Sequence, residues 1–112
     1  MSQLTTHILD TTKGKPAFGV HIILYHHKKE EWVEITKGIT NNDGRIPDLL
    51  KKGTVMELGT YKLRFETQSY FAKQAVQTFY PFVEIIFEID SDEHYHIPLL
   101  LSPFGYSTYR GS

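Results

Sequence analysis

Cysteine is absent from this 112-residue sequence, so disulfide bonds, thiolate metal ligands and thiol nucleophiles are all excluded. An excess of charge of one sign is lacking too, because 12 Lys and Arg residues stand against 13 Asp and Glu residues and the net charge is −1. Neither sign gathers into a block, and we therefore expect no nucleic acid partner. With thiol chemistry excluded, the six histidines are the first candidates for reactive side chains.

Long apolar runs are also missing. The uncharged apolar stretches span only a few residues, whereas a helix that crosses a bilayer needs roughly 20. The first residues, Met1-Ser2-Gln3-Leu4, do not combine a basic segment with an apolar one, as a secretory signal would. We expect a cytoplasmic protein that has no membrane partner.

The residues that are present predict one globular domain over residues 1–112. Apolar residues make up 40% of the chain and aromatic residues 13%, which is enough to build one core at a length common for single domains. Turn signals rich in Gly, Asn, Asp and Lys recur at short intervals. Between them, runs at 61–66 and 83–90 alternate apolar and polar residues as half-buried strands do. We predict further strands at 4–10, 20–25, 32–36, 94–101 and 106–109.

One segment departs from this alternation. Within residues 68–78, the apolar positions 71, 72, 75 and 76 are spaced as on one face of a short helix. Seven or eight strands with one short helix, and without βαβ alternation, predict an all-β fold: an antiparallel β-sandwich of two sheets. His26 and His27 fall beside a turn signal, and we predict that both are loop residues.

Pro98 stands inside the predicted strand 94–101. Because proline has no N–H to donate, it is confined to edge strands, bulges or strand beginnings, so this strand is expected to border an opening or a partner. The three residues Leu99, Leu100 and Leu101 place apolar side chains on both faces of the strand. We therefore predict that residues 98–101 and the C-terminal tail lie at a subunit interface.

Four polar side chains are candidates for chemistry. His94 and His96 are two residues apart on a predicted strand, so they project from the same face and could hold one metal ion, although a hydrogen-bonded role is commoner. His7 is a polar residue in another strand-like segment. Arg45 follows the turn signal Asn42-Asp43-Gly44. It is either a solvated loop residue or a ligand-binding residue whose planar guanidinium donates several hydrogen bonds to an anionic or carbonyl-rich ligand.

The C-terminal segment, residues 106–112, is dense in hydroxyl groups and aromatic rings, although chain ends are usually indifferent to sequence. Some interaction is therefore expected to hold it. Either a salt bridge between Arg110 and the carboxylate of Ser112 acts as a clamp, or the segment folds into a pocket as one of its walls. Both interpretations are compatible with the residues themselves.

Four segments together carry a family pattern: Thr6-His7-Ile8-Leu9-Asp10, Asn42-Asp43-Gly44-Arg45, the run from His94 to Pro103, and the terminal Tyr109-Arg110-Gly111-Ser112. They resemble the 5-hydroxyisourate hydrolases of the transthyretin-like family over nearly the whole chain. The terminal tetrapeptide is the feature that separates the hydrolases of that family from the hormone carrier transthyretin. One departure is Phe82, which follows Phe79-Tyr80-Pro81 where the family pattern has an acidic residue.

The resemblance implies a transthyretin-like sandwich assembled as a homotetramer, a dimer of dimers, with active sites at the dimer–dimer interface. The implied substrate is 5-hydroxyisourate, whose ring amide is hydrolysed to 2-oxo-4-hydroxy-4-carboxy-5-ureidoimidazoline without a metal or an organic cofactor. The implied catalytic residues are His7, Arg45, His96 and Ser112, and the substrate-binding set adds Tyr109, Arg110 and Gly111.

Imidazole chemistry suits this reaction, because a group that titrates near neutral pH can take a proton from water. We hypothesise that His7 and His96 share water activation and proton delivery to the leaving nitrogen, while Arg45 binds carbonyl groups and stabilises negative charge. Two alternatives stay open at this point. One is a transthyretin-like carrier that binds an aromatic ligand without converting it, and the other is a zinc hydrolase with His7, His94 and His96 as ligands.

Overall fold

The computed structural model describes residues 2–112 and confirms the predicted all-β sandwich with one short helix. Two four-stranded sheets pack face to face, with the orders β2-β1-β7-β8 and β4-β3-β5-β6. Within the described residues, no helix is long and apolar enough to cross a membrane. The elements are β1 (Leu4–Asp10), β2 (Lys15–Pro16), β3 (His21–Lys28), β4 (Glu31–Ile39), β5 (Gly59–Phe65), α1 (Thr67–Ala72), β6 (Val83–Ile89), β7 (Tyr95–Ser102) and β8 (Gly105–Thr108).

The core lies between the two sheets and follows directly from the alternation of the sequence. In β1 every second residue is buried, and the same holds for the middle of β3 and β5. Burial of these side chains is the main favourable term in folding. The completely buried residues include Ile8, Val20, Ile22, Leu24, Leu63, Phe65 and Leu99. The residues between them in β1 and β7 point to the opposite, outer face, and these are mostly polar.

β1 and β7 are the exception to the predicted antiparallel pairing. They run parallel, with Thr5 opposite His96 and His7 opposite Pro98, while the other strand pairs in residues 2–112 are antiparallel. Most of the chain connects β1 to β7, so no short hairpin dictates an antiparallel arrangement of these two strands. The parallel pair brings the segment that carries His7 beside the segment that carries His96.

The helix is shorter than the predicted segment, because it spans only Thr67–Ala72. It ends in a Schellman motif, in which the N–H of Ala75 bonds the carbonyl of Ala72 and the N–H of Val76 bonds the carbonyl of Phe71. Ala75 takes a positive φ of 57°, a conformation usually left to glycine. The apolar spacing therefore indicates the helix correctly, but the second half of the predicted segment forms the turn that ends the helix.

The prediction that His26 and His27 are loop residues is wrong, because β3 continues to Lys28. The turn that follows consists of Lys29 and Glu30 alone, both with positive φ, as in a two-residue type I′ hairpin. Such a turn is usually signalled by Asn-Gly, and that signal is missing here. His26 is only 5% exposed and stacks on the ring of Tyr61 at a centroid distance of 4.1 Å.

Pro98 lies on an inner strand and not on the edge strand that its presence suggested, because β7 runs between β1 and β8. It is tolerated there because β8 ends at Thr108, opposite Leu99, so Pro98 faces the point where the neighbouring strand has stopped. The three leucines divide as predicted: Leu99 and Leu101 are buried in the core, and Leu100 is half-exposed on the outer face.

Candidate active site on the outer face of β1 and β7

Two of the predicted histidines meet on the outer face of the sheet that contains β1 and β7. His7 projects from β1 and His96 from β7, and both are half-buried. The parallel register places His7 opposite Pro98, two residues beyond His96, so the two imidazoles are diagonal neighbours across the strand pair. The strand alternation that buries Ile8 and Leu99 therefore also aims both histidines outward.

Arg45 reaches the same region because its loop is bound to β1. The N–H of Ile8 donates to the carbonyl of Gly44 at 2.9 Å, and the side-chain oxygen of Asn41 accepts from the N–H groups of Asp43 and Arg45. Gly44 has a φ of +72°, and a Cβ built on it would lie 2.4 Å from the carbonyl oxygen of Ile8. Only glycine permits this close approach, which sets the exposed Arg45 beside His7.

The electrostatics of the site favour neutral imidazoles. The pKa of His7 is lowered below 6.5, first by burial and then by the positive charge of Arg45, whereas a hydrogen bond to the backbone of Asp43 raises it. The pKa of His96 is also lowered, first by burial and then by Arg45, His7 and His94, whereas a hydrogen bond to the backbone of Thr5 raises it. At neutral pH both rings therefore have a lone pair that can accept a proton. The charge of Arg45 therefore acts on both histidines of this face.

His94 belongs to a hydrogen-bonded cluster. Its ring is stacked beside that of His96 at a centroid distance of 6.4 Å, and the hydroxyl of Thr5 lies between them, 3.0 Å from Nε2 of His94 and 2.8 Å from Nδ1 of His96. Across residues 2–112, no three His, Asp or Glu side chains converge as the ligands of one metal ion would. The trio of the zinc alternative, His7, His94 and His96, thus lacks the geometry of a metal-binding set.

The C-terminal tail is attached to His96. The N–H of Gly111 donates to the carbonyl of His96 at 2.7 Å, and a Cβ built on Gly111 would lie 2.6 Å from Cδ2 of the imidazole. The tail keeps the register of β8, because Thr108 pairs with Leu99 and Gly111 pairs with His96, three residues further along each segment. A glycine at this position lets the backbone of the tail contact the ring of His96 directly.

The other tail residues are distributed around this contact. The guanidinium of Arg110 lies over the ring of Tyr95 at 4.3 Å and pairs with Glu93 at 3.4 Å, so its ion-pair partner is Glu93 and not the terminal carboxylate. Tyr109 is exposed, and Ser112 follows Gly111 directly at the exposed chain end. The structure therefore brings together His7, Arg45, His96 and the backbone of Gly111, whereas the Arg110 side chain is turned toward Tyr95.

Asp10, which is part of the same sequence motif as His7, has a structural role. It is 1% exposed, accepts a hydrogen bond from the hydroxyl of Tyr70 at 2.7 Å, and accepts from the N–H groups of Thr12 and Lys13. Burial and this bond raise the pKa of Tyr70 to about 12. The Asp10 carboxylate thereby anchors the turn after β1 and the helix α1, well away from the outer face.

The sequence matches the HIUase/Transthyretin family over residues 4–111. A mouse protein named 5-hydroxyisourate hydrolase is 45% identical over 114 residues, an alignment that covers 99% of this chain and 96% of the mouse protein. The 5-hydroxyisourate hydrolase 2 of Rhizobium meliloti is 46% identical over 115 residues, and the alignment covers 98% of this chain and 96% of the bacterial protein.

Two solved structures give the same fold. The 5-hydroxyisourate hydrolase of Klebsiella pneumoniae has a TM-score of 0.85 and 36% identity, and it covers 97% of this chain and 98% of its own. Sea bream transthyretin, solved in complex with thyroxine, has a TM-score of 0.92 and 31% identity, and it covers 98% of this chain and 95% of its own. The chain therefore belongs to the HIUase/Transthyretin family.

Proposed function

We propose that this protein is a 5-hydroxyisourate hydrolase of urate breakdown, which opens a ring amide of its substrate to give 2-oxo-4-hydroxy-4-carboxy-5-ureidoimidazoline. The observation that carries the proposal is the convergence of two neutral, half-buried imidazoles, His7 and His96, with the guanidinium of Arg45 on one open face. Relatives that carry this enzyme name are 39–46% identical to this chain over nearly its whole length, which supports the same assignment.

The proposed chemistry is a water addition assisted by two imidazoles. The oxygen of water forms a bond to the amide carbon while one imidazole takes a water proton, and the C–N bond then breaks as the leaving nitrogen receives a proton from an imidazole. Arg45 donates hydrogen bonds to the carbonyl oxygen, on which negative charge develops. Its charge also disfavours protonation of His7 and His96 before substrate binds, which keeps a base available at neutral pH.

The tail completes the proposed site. Gly111 holds the chain end against His96, and we propose that the hydroxyl of Ser112 positions the substrate or the attacking water. Tyr109 and the backbone of Arg110 would form the remainder of the pocket wall. This assignment follows the family pattern, and the contact between Gly111 and His96 supports it.

We also propose that the protein is a homotetramer, a dimer of dimers, in which a second dimer covers the outer face of β1 and β7. Leu100 is half-exposed on that face beside the site, and apolar side chains on the edge strands β6 and β8 are also uncovered, including Ile86 at 61% and Tyr106 at 43% exposure. Light scattering should give about four times the chain mass of 13.0 kDa. The cytoplasmic location stays a prediction for cell fractionation to test.

The decisive experiment is a coupled assay in which urate oxidase generates 5-hydroxyisourate in solution. Its ultraviolet absorbance should decay faster when this protein is added, and the acceleration should survive exhaustive treatment with EDTA, because water activation is assigned to imidazoles. Activity that disappears with EDTA and returns with zinc would contradict the cofactor-free mechanism.

A ligand carrier is the second candidate, because the fold matches sea bream transthyretin with a TM-score of 0.92. The same assay separates the two functions. A carrier would leave the absorbance decay unchanged and would bind an aromatic ligand such as thyroxine without turnover. The polar outer face argues for the hydrolase, since a site that only holds an aromatic ligand is mostly apolar.

A further inference from the structure

The hydroxyl of Thr5 joins His96 of β7 to His94, the residue directly before that strand. Its oxygen lies 2.8 Å from Nδ1 of His96 and 3.0 Å from Nε2 of His94, and both distances are those of hydrogen bonds. Thr5 occupies this position because it projects from the same face of β1 as His7 and is paired with His96 in the parallel register. Neither the family pattern nor the proposed chemistry has assigned a role to Thr5 or His94.

The number of protons on this hydroxyl limits the states of the two rings. A threonine hydroxyl has one proton to donate and can accept from other donors. If both hydrogen bonds are to form, at least one of the two facing nitrogens must carry a proton, and Thr5 can donate only to the other. The tautomers of His94 and His96 are therefore coupled through Thr5.

The proposed chemistry requires one arrangement of this chain of hydrogen bonds. Nδ1 of His96 is bonded to the hydroxyl of Thr5, so Nε2 is the ring nitrogen left to accept a proton from water. Nε2 can accept that proton only when the ring proton is on Nδ1, the nitrogen that faces Thr5. The remaining nitrogen, Nε2, then carries the lone pair.

We propose that Thr5 is a positioning residue that holds His96 with its Nδ1 proton directed to the Thr5 hydroxyl, while that hydroxyl donates to Nε2 of His94. This arrangement leaves the Nε2 lone pair of His96 directed away from Thr5, ready to accept the proton of the attacking water. The inference rests on the proposed function, and it assigns the role of general base to His96.

The charged and titratable groups that act on His96 belong to three elements. Arg45 is on the loop before β5, His7 is on β1 and His94 directly precedes β7, and after burial each of them lowers the pKa of His96. All three disfavour an imidazolium at rest, so the resting base is neutral. When His96 takes the water proton on Nε2, it keeps its Nδ1 bond to Thr5, and the hydrogen-bonded chain needs no rearrangement.

The test compares Thr5→Val with Thr5→Ser in the full-length protein. Valine has the shape of threonine without the hydroxyl, and it should lower kcat about tenfold while KM stays within about twofold, because the base loses its fixed tautomer and the substrate loses no contact. Serine restores the hydroxyl and should return kcat to within about threefold of wild type. Thr6→Val is the matched control, since Thr6 donates to the carbonyl of Ile97 between the same two strands and, within residues 2–112, its side chain forms no hydrogen bond to a histidine.

Nitrogen-15 NMR of histidine-labelled protein gives a readout that does not depend on activity. His96 should be protonated on Nδ1 in the wild type and should show both tautomers in Thr5→Val. A wild-type His96 protonated on Nε2, a Thr5→Val variant with unchanged kcat, or an equal loss in Thr6→Val would each overturn the role of Thr5. His96→Asn is measured alongside: if it is inactive while Thr5→Val is fully active, only the positioning role fails, whereas a fully active His96→Asn refutes the proposed site itself.

Discussion

The two outer faces of the sandwich both carry cations and rings, but they arrange them differently. On the outer face of β5 and its neighbours, Lys62 pairs with Glu84 at 3.3 Å and lies over the ring of Trp32 at 4.4 Å. Arg64 pairs with Glu66 and Glu84, whose hydrogen bonds raise its pKa. Lys62 and Arg64 are therefore already occupied by partners from their own chain.

The guanidinium of Arg45, on the face of β1 and β7, differs from these two cations. Within residues 2–112 no carboxylate forms an ion pair with Arg45, and its charge acts on His7 and His96 instead. A guanidinium whose donors are not satisfied by the protein can bind a ligand without first breaking a salt bridge. The comparison therefore indicates which of two polar surfaces is available for chemistry.

The largest expected effect is on the histidines of the β1 and β7 face. His7→Asn and His96→Asn should each lower kcat by roughly 10²–10⁴-fold, the usual contribution of general acid–base catalysis, with the assembly unchanged. The coupled assay and light scattering check this. His27→Asn is the control, because His27 is exposed on the other sheet and should stay within about twofold of wild type. A His96→Asn variant as fast as wild type would refute the site.

Arg45→Lys and Arg64→Lys compare the two faces directly. Lysine keeps the charge but loses the planar set of donors, so Arg45→Lys should reduce kcat/KM about 10²-fold, with a lower kcat and a higher KM. Arg64→Lys should leave both constants within about twofold. Equal effects of the two variants in steady-state kinetics would remove the distinction between an occupied and an unoccupied cation.

The tail contact should show a smaller effect. Gly111→Ala places a Cβ 2.6 Å from the His96 ring, so either the tail or the ring must move, and kcat should fall about tenfold. Gly105→Ala, where an added Cβ finds no atom closer than 3.7 Å, is the control in the same assay. Unchanged kcat in a stably folded Gly111→Ala variant would mean that the tail is not part of the catalytic arrangement.

Lowering the pH should destabilise the protein through the two site histidines. His7 and His96 have pKa values depressed below 6.5, chiefly by burial, so the unfolded chain binds more protons than the folded one between the folded pKa and 6.5. Their contribution to stability is complete above pH 6.5 and is lost as the pH falls through the folded values.

Thermal unfolding between pH 7.5 and 5.5 measures this loss of stability. The melting temperature of the wild type should decline below pH 6.5, and that of the double variant His7→Asn/His96→Asn should decline less. His26 also has a pKa lowered by burial, so its protonation accounts for part of the decline in melting temperature that the double variant still shows. Identical slopes for the two proteins would show that the site histidines are not the groups that titrate.

The smallest effect is expected for Phe82→Glu, which installs the acidic residue of the family pattern. The ring of Phe82 lies 3.7 Å from the Arg64 guanidinium, so the substitution exchanges a cation–π contact for an ion pair of comparable worth, each about 0.5–1 kcal/mol when exposed. The free energy of unfolding measured with urea should change by less than about 1 kcal/mol, and kcat should not change. A loss of activity would show that this face communicates with the site.

The strands were predictable from the sequence because each of them buries one face and exposes the other. That alternation gave β1 and β6 to within one residue. It could not give the parallel pairing of β1 with β7, since alternation states which residues share a face and not which strand lies alongside. It also missed the end of β3, because Lys29 and Glu30 adopt a turn that other residues usually form.

The site was partly predictable. His7, Arg45 and His96 were chosen from their segments, and the structure brings them together. Thr5 was missed, although its position two residues before His7 already placed it on the same face as that histidine. Its partner across the sheet was not knowable until the register of β1 and β7 was fixed. The need for glycine at position 111 was equally hidden, because it arises from the position of the His96 ring.

Pro98 has a consequence for how the site opens. The backbone groups of Pro98 and His96 both point toward β8 and the tail that follows it. Because Pro98 has no N–H to donate to the carbonyl of Tyr109, the hydrogen bonds between β7 and the tail are interrupted between Thr108 and Gly111. Beyond this gap, the hydrogen bond from Gly111 to His96 ties the chain end to β7. We expect the amide of Gly111 to exchange with solvent deuterium far faster than those of β7, and product to leave by fraying of four residues while the sandwich stays intact.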